Sequence, residues 1–316
     1  MTYAQYGTIQ ATDYNALVGG NPTTTINTLN ATWATGGTSA GYGQTAEANV
    51  AVGDTVTASK WANLINKTAT VASHQGTSIN SVSAPVSGGT INYLSNVPTN
   101  LTTVYSSRLN AATQGATSAN TATFGSTWLN AITFTHTATF ANGDAARYFF
   151  NSGGQLKITC AHAATSGAGN VLFNGLASNV GTVVMSAPTS GTITIASTSY
   201  NGITKIGGGG GAPTISTNSG YFAMTTSNAN VFTQLAGGAT AYVNSFIRVV
   251  AKSNGTQGSN GDAGSVVTLY TVWDEVPDGL TVGSGSNVTV TAVAPETTNL
   301  ANTWGTITIA GSVTGS

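Results

Sequence analysis

The residues that could do chemistry are few in this chain and lie far apart. Ser39 stands in the segment GTSAG, residues 37–41, which has the G-x-S-x-G spacing of serine hydrolases. In those enzymes the serine lies on a sharp turn between a strand and a helix, which exposes its hydroxyl. Here glycine and threonine flank the motif, and a chain so rich in Gly, Ser and Thr is expected to contain this spacing by chance. The sequence therefore predicts that Ser39 is not a nucleophile.

The histidines and the single cysteine do not form a metal-binding or nucleophilic pattern. His74, His136 and His162 are dispersed, without a second histidine four residues on and without the H-E-x-x-H spacing of zinc sites. Cys160 has apolar neighbours in LKITCAHA, which is typical of a small buried hydrophobic residue. His162 would share a strand face with Cys160, but two ligands do not complete a zinc site. We expect no metal and no cofactor.

The acidic residues and the glycine-rich run also lack the spacing of known catalytic or phosphate-binding motifs. Asp274, Glu275 and Asp278, in WDEVPDG, form the one acidic cluster; a solvated turn is favoured there, and a calcium ion is left open. The run KIGGGGGAP, residues 205–213, has its lysine before the glycines, which predicts a loop or a close backbone contact and no phosphate site. A glycosidase needs two carboxylates beside a groove, and the nine acids are otherwise scattered. The sequence predicts no enzyme.

The surface of this protein must be mostly uncharged. Its 316 residues include 8 Lys and Arg and 9 Asp and Glu, or 5% charged residues, against a usual share of about 25%. A net charge of -1 provides no basic patch for nucleic acid. The sequence contains no apolar run long enough to span a membrane and begins without a basic leader, so neither a membrane partner nor export is expected. Weak charge repulsion favours self-association.

The elements that must position these residues are mainly strands. From about residue 123 onward, apolar and polar residues alternate in segments bounded by Gly, Asn, Ser or Pro, the period of an antiparallel sheet. These segments are AITFTHTATF, GQLKITCAH, GTITIAST, YVNSFIRVVAKS, SVVTLYTVWDEV, SNVTVTAV and WGTITIAGSV. We predict a mainly β protein whose C-terminal domain, residues 123–316, is an antiparallel β-sandwich of jelly-roll-like type.

The N-terminal region contains a short sequence repeat. TIQATDYNALV, residues 8–18, aligns without a gap with TVTASKWANLI, residues 55–65, and predicts two short helices with Thr12 and Ser59 as N-caps. The second helix is expected to continue to Gly76. The i, i+3, i+4 spacing places matching apolar residues on one face of each helix. We predict that these residues form a docking surface for a partner: Tyr14, Leu17, Val18, Trp61, Leu64 and Ile65. For Trp61, burial within the module itself is the alternative, and Tyr14 is expected nearer the rim because its hydroxyl needs a polar partner.

The helices define a small module of residues 1–80, which precedes a connecting region. Residues 81–122 are rich in Ser, Thr, Asn and Pro and predict a linker or a packed connecting arm. One further helix is expected there, in TTVYSSRLNAA at residues 102–112.

The segment ARYFFNSGGQLKIT, residues 146–159, resembles β-rich virion structural proteins of marine tailed phages, particularly the cyanophage type. In that family an Arg-aromatic-Phe-Phe-Asn-x-Gly-Gly segment leads into a strand. GYGQ, VAVGDTVTASKWANL and HQGT, which begin at residues 41, 50 and 74, are also similar, so the resemblance covers roughly a third of the chain. It implies a virion component without indicating which one.

The same segment has an architectural interpretation of its own. We expect its aromatic side chains to alternate between two faces, and a tight turn to precede a strand. Arg147 is expected to pair with Asp144 or to stack on Tyr148. The residues assigned to this structural motif are Arg147, Tyr148, Phe149, Phe150, Asn151, Gly153 and Gly154.

Together these patterns predict a non-enzymatic, homo-oligomeric subunit of a phage tail, neck, fibre or head surface. Its partners would be itself and other virion proteins, and it would be assembled in the host cytoplasm and released by lysis. One alternative is a receptor-binding or adhesin module that uses exposed Tyr and Trp to bind cell-surface polysaccharide. Another is a bacterial surface filament subunit, which would need an export signal that the N-terminus does not show.

Overall fold

A computed structural model describes residues 10–19, 27–51, 53–88, 95–237 and 241–315. Strand residues outnumber helical residues and the sheets are antiparallel, which confirms the mainly β class. The helices are α1 (Ala11–Val18), α2 (Leu29–Thr32), α3 (Ala58–Gln75), α4 (Asn96–Ser106), α5 (Gly143–Asn151) and α6 (Ala168–Val180). The strands are β1 (Gln114–Phe124), β2 (Ala131–Thr139), β3 (Gln155–His162), β4 (Thr182–Met185), β5 (Ile193–Ile195), β6 (Thr198–Tyr200), β7 (Ile203–Ile206), β8 (Thr214–Ile215), β9 (Ala229–Leu235), β10 (Phe246–Ser253), β11 (Val266–Asp274), β12 (Ser286–Pro295) and β13 (Thr308–Gly315).

Two antiparallel sheets form a sandwich-like domain. The first has the strand order β1-β12-β3-β4-β7, and the second has the order β13-β2-β11-β10-β9-β8. Side chains from both sheets enter one hydrophobic core, which includes Phe134 and Trp273 from the second sheet and Ile158 and Val290 from the first. α6 packs against β3 on one side and against β9 and β10 on the other. The core therefore lies between the sheets and is completed by a helix.

The strand alternation explains why these segments form sheets. In β2 and β11 every second residue is buried, and the intervening positions are half-buried or exposed. A period of two places alternate side chains on opposite faces, so one face meets the core, and threonines occupy most of the other face of β2. Thr121 and Thr289, paired across β1 and β12, have hydroxyl oxygens 2.7 Å apart on such an outer face.

The N-terminal helices form a second hydrophobic cluster of their own. Tyr14 from α1 and Trp61 from α3, which occupy equivalent positions in the repeat, pack edge to face with ring centroids 5.9 Å apart. α3 continues to Gln75 and ends at Gly76 in a left-handed conformation, as predicted. The predicted N-caps are wrong by two residues, because the N-cap of α1 is Gln10 and that of α3 is Thr57. Thr8 and Ile9 of the repeat lie outside the described residues.

Two segments have more structure than their sequences suggest. The region 81–122, expected to be a linker or a packed connecting arm with one helix, contains α4, which packs on α3, and most of β1, which pairs with β12. β1 was missed because QGATSANTATF is small, polar and exposed on both faces at most positions, so it lacks apolar alternation. GTITIAST is not one strand but the hairpin β5-β6, which turns at Ala196 and Ser197, both at positive φ without glycine.

Candidate functional site

The junction between the helical module and the sandwich is organised by α5. The sequence motif ARYFFN was expected to place its aromatic residues alternately on two faces, but it forms a helix instead. The Asn142 side chain accepts a hydrogen bond of 2.8 Å from the Ala145 N–H and caps this helix. Phe149 and Phe150 are buried in the main core, while Tyr148 is half-buried. Gly153 follows at φ 89, so the expected turn before β3 is present as the exit from this helix.

Arg147 is the central contact of this junction and is 0% exposed. Its Nη1 donates to the carbonyl oxygens of Thr35, at 2.8 Å, and Ala40, at 2.6 Å. Its Nη2 lies 3.1 Å from Asp144 Oδ1, and its guanidinium carbon lies 4.7 Å from the centre of the Tyr148 ring. Both contacts expected from the sequence are therefore present. The planar guanidinium can satisfy several acceptors at once, which suits it to holding a loop.

The segment GTSAG belongs to the loop that α5 holds. Asn151 Nδ2 donates to the carbonyl oxygens of Ser39, at 2.6 Å, and Gly41, at 3.0 Å. Residues 40–51 that follow Ser39 form no helix or strand, so the strand-turn-helix setting of a serine nucleophile does not surround it. Gly43 lies against the Tyr148 ring at φ 71, where an added Cβ would come within 2.5 Å of ring carbons. The loop therefore has a structural role, since it attaches the helical module to α5 of the sandwich.

A buried pair joins α3 to the far end of β12. His74 Nδ1 lies 3.1 Å from Glu296 Oε1, and His74 Nε2 lies 3.1 Å from the carbonyl oxygen of Ser152. Burial alone would raise the pKa of Glu296, but hydrogen bonds from His74, Asn299 and Thr298 outweigh it and lower this pKa to about 2. Burial lowers the pKa of His74, and the contacts with Glu296 and Ser152 oppose that effect. The carboxylate form of Glu296 is therefore part of the junction.

The C-terminal segment after β12 completes the attachment. Gln44 Nε2 donates to the Ala301 carbonyl oxygen at 2.8 Å, and the Ala301 N–H donates back to Gln44 Oε1 at 3.0 Å. The Thr303 hydroxyl donates to the Tyr42 carbonyl oxygen at 2.6 Å. Because polar groups from separate parts of the chain satisfy one another here, the module is bound to the sandwich by specific hydrogen bonds.

The expected docking surface on the repeated helices is not present as an exposed patch. Its six side chains are all buried inside the module: Tyr14, Leu17, Val18, Trp61, Leu64 and Ile65. The apolar stripes of the two helices, α4 and the intervening segments cover one another, so these residues form the core of the module. The sequence spacing identified the buried face, but it could not show what covers that face.

The adhesin alternative expects exposed Tyr and Trp, and tryptophan provides little of that exposed surface. Trp33 is half-buried, and the other four tryptophans are fully buried. The large hydrophobic residues that are exposed among the described residues are aliphatic. Tyr105, Tyr148, Tyr242 and Tyr270 are half-buried, so their rings remain partly accessible, and the adhesin alternative stays a hypothesis.

The remaining chemical candidates occupy structural positions. Cys160, expected to be buried, is half-buried, and desolvation raises the pKa of its thiol to about 12, which disfavours the reactive thiolate at neutral pH. His136 faces the core of β2, opposite Leu269 of β11, and burial lowers its pKa. His162 contacts Ser286 Oγ and Asn170 Oδ1, each at 3.0 Å.

The acidic cluster at the end of β11 is the solvated turn expected for it only in part, because Asp278 is exposed and Asp274 half-buried while Glu275 is buried. Glu275 is 0% exposed, and its carboxylate accepts hydrogen bonds from the Gly279 and Leu280 N–H groups at 3.3 and 2.6 Å. It therefore anchors the turn that follows. Burial and the neighbouring Asp278 raise the pKa of Asp274. Within the described ranges, no group of three His, Cys, Asp or Glu side chains is placed to hold a metal ion.

The two long edge strands of the sandwich lie together on one side. β1 ends the first sheet and β13 ends the second, and the two strands pack against each other. Neither QGATSANTATF nor TIAGSVTG contains a charged residue or a proline. The opposite edges are β7, which has four residues and includes Lys205, and β8, which has two. Sequence reasoning identified part of β13 and missed β1, so it missed this shared side.

Comparisons with protein-family models, curated proteins and solved structures find no match to this chain. In the described part of the chain, no helix is both long enough and apolar enough to cross a membrane.

Proposed function

We propose that this chain is a non-enzymatic structural subunit of a phage particle, which self-assembles and attaches to other particle proteins. The proposal of self-assembly rests on one observation, which is the uncharged side of the sandwich formed by β1 and β13. The assignment to a phage tail, neck, fibre or head surface depends on the sequence resemblance at residues 146–159 and near the N-terminus.

An edge strand presents unpaired N–H and C=O groups that can pair with another chain. Proteins that stay monomeric usually protect such edges with lysine, proline, bulges or very short strands. The eight residues of β13 include no lysine and no proline. Its pairing with β2 is continuous from Thr308 to Gly315, without a bulge. β1 has a register shift near Gln114 and regular pairing from Thr117 onward. This side is therefore suited to pairing with a second copy.

The opposite side of the sandwich has the protections that this side lacks. β8 is only two residues long, and Lys205 on β7 is a charged residue at the other short edge. The contrast supports an interface on the β1 and β13 side, because both sides share the same low-charge composition and only one is protected.

The test adds lysine to the exposed face of β13 and measures the oligomeric state. Ala310 and Ser312 are exposed at alternate positions of this edge strand, so Ala310→Lys/Ser312→Lys adds charge without entering the core. We expect light scattering to show an oligomer for the unmodified chain at micromolar concentration and a monomer for this variant. The matched control is Thr159→Lys/Ala161→Lys, which places two lysines at exposed positions of the central strand β3.

The control should remain oligomeric, and thermal unfolding should verify that both variants are folded. A monomeric unmodified chain, or an oligomer that the two edge lysines leave intact, would contradict this proposal.

A further inference from the structure

A polar cleft of about 420 Å³ lies where the helical module meets the sandwich. The module contributes Ser39, from the loop held by α5, and Arg108, just beyond the end of α4. The sandwich contributes Asn151 of α5 and the loops that contain Ser190 and Gln257. The volume falls within the usual range of small-ligand sites, roughly 300 to 1,000 Å³. Because separate parts of the fold converge on it, the cleft exists only when module and sandwich are joined.

Arg108 is the one charged residue among the described residues that line this cleft, and the Asp262 carboxylate lies beside its rim, where it accepts a hydrogen bond of 2.8 Å from the Ser259 N–H. Arg108 is half-buried, and its guanidinium carbon lies 4.6 Å from the centre of the Tyr105 ring. Its Nη1 donates to the Tyr105 carbonyl oxygen at 3.1 Å, which leaves further N–H donors. None of the described residues that line the cleft is acidic, and no ion pair of the described residues includes Arg108. An anionic group is the complementary partner for this guanidinium.

The rest of the lining is rich in hydroxyl and carboxamide groups. Ser39, Thr189, Ser190 and Ser259 line the cleft, and their hydroxyls form no hydrogen bond within the described part of the chain. Asn151 is 1% exposed, and its Oδ1 has no hydrogen-bond partner among the described residues. Because this oxygen is itself buried, it lies behind the cleft surface, and the hydroxyl groups are the polar groups left for a ligand.

Phe222 gives the cleft an apolar wall, and the Gln257 side chain is fixed beside it by backbone contacts. Gln257 Nε2 donates to the Tyr221 and Met224 carbonyl oxygens, while Gln257 Oε1 is buried without a partner. The half-buried ring of Phe222 lines the same cleft. A ligand for this site therefore combines one negative charge, several hydroxyl donors and acceptors, and an apolar ring face.

We propose that this cleft binds a carboxylated saccharide, with Arg108 paired to the carboxylate, the surrounding side chains bonded to the sugar hydroxyls, and Phe222 against a sugar ring. A phosphorylated ligand of higher charge would face only one cation here, and the polar lining disfavours an apolar ligand. The proposal goes beyond a structural role in a particle and does not depend on assembly through β13.

The test titrates the full chain with trigalacturonate and with its fully methyl-esterified form, which keeps the rings but carries no charge. We expect calorimetry to show tighter binding of the acidic form. Arg108→Gln should weaken trigalacturonate binding by about tenfold or more, because a charge-assisted hydrogen bond is lost. The same variant should leave binding of the ester unchanged.

Lys252→Gln is the matched control, since Lys252 also lies over a tyrosine ring, that of Tyr270 on β11, but outside the cleft. It should bind trigalacturonate like the unmodified chain. Ser190→Trp fills the cleft from an exposed position, so it should abolish binding of both ligands without affecting the core.

The monomeric variant Ala310→Lys/Ser312→Lys should bind with unchanged affinity, which separates this proposal from the assembly proposal. The inference is overturned if trigalacturonate does not bind at millimolar concentration, or if binding persists unchanged in both Arg108→Gln and Ser190→Trp.

Discussion

At the scale of single residues, Trp61 and Tyr14 show how one repeated position is used twice. Both side chains are 0% exposed, and their rings pack edge to face in the module core. The Tyr14 hydroxyl lies 3.4 Å from Glu47 Oε1 and from the Lys60 carbonyl oxygen, whereas Trp61 Nε1 has no partner among the described residues. Trp61 therefore contributes through packing, and Tyr14 adds a weak polar contact to the same packing.

Trp61→Ala should lower the free energy of unfolding by about 3 to 5 kcal/mol, because it leaves a large cavity in the module core. Tyr14→Phe keeps the ring and removes only two long contacts, so it should cost about 1 kcal/mol or less. Chemical denaturation followed by circular dichroism measures both. Equal, small losses for the two variants would show that the module core contributes little to stability.

The spacing of apolar residues predicted the buried face of α3, because a period of 3.6 residues is a local property of the helix. The use of that face could not be predicted. Spacing alone does not distinguish a face covered by the same chain from one covered by a partner, and here α1 covers Trp61.

At the scale of elements, the clearest predictions were the strands of the sandwich centre. β2, β10 and β11 each alternate buried and less buried residues along most of their length. α5 was missed because ARYFFN places two phenylalanines side by side, and its helix depends on the Asn142 cap and on packing in the core. The cleft could not be predicted, because its lining residues come from distant parts of the chain.

Arg147 connects α5 to the loop of residues 34–44 by hydrogen bonds, so replacing Arg147 tests how α5 positions this loop. Arg147→Met should lower the free energy of unfolding by about 3 kcal/mol or more, because the Thr35 and Ala40 carbonyls lose a buried charged donor. Asp144→Asn should cost about 1 kcal/mol or less, since Asp144 is partly exposed. Chemical denaturation gives both values, and hydrogen exchange of the loop amides should rise in Arg147→Met alone. Unchanged hydrogen exchange of the loop amides in Arg147→Met would show that Arg147 does not hold this loop in place.

At the scale of the whole molecule, the junction should weaken in acid. Glu296 has a folded-state pKa of about 2, below the ordinary value of 4.5. On acidification the unfolded chain therefore binds a proton first, so this stabilisation is complete above about pH 4.5 and is lost as the pH falls toward 2.

Glu296→Gln removes the titrating group and should flatten the dependence of stability on pH in this range. Denaturation curves at a series of acidic pH values measure it, and at neutral pH the variant should be less stable than the unmodified chain. The same acid slope in both proteins would show that Glu296 does not link the two halves.

The placement of β1 and β13 on one side also sets the symmetry of any pair joined there. A two-fold axis perpendicular to both sheets would pair β13 with the β13 strand of a second copy in an antiparallel arrangement. The same axis would pair the two β1 strands in the same way. Both sheets would then continue across the interface. Such an interface uses the same surface of each copy and closes at two, because the short opposite edges of β7 and β8 offer no second pairing side. A filament or ring built from this chain would therefore need to use the pair as its repeating unit and a different surface for growth.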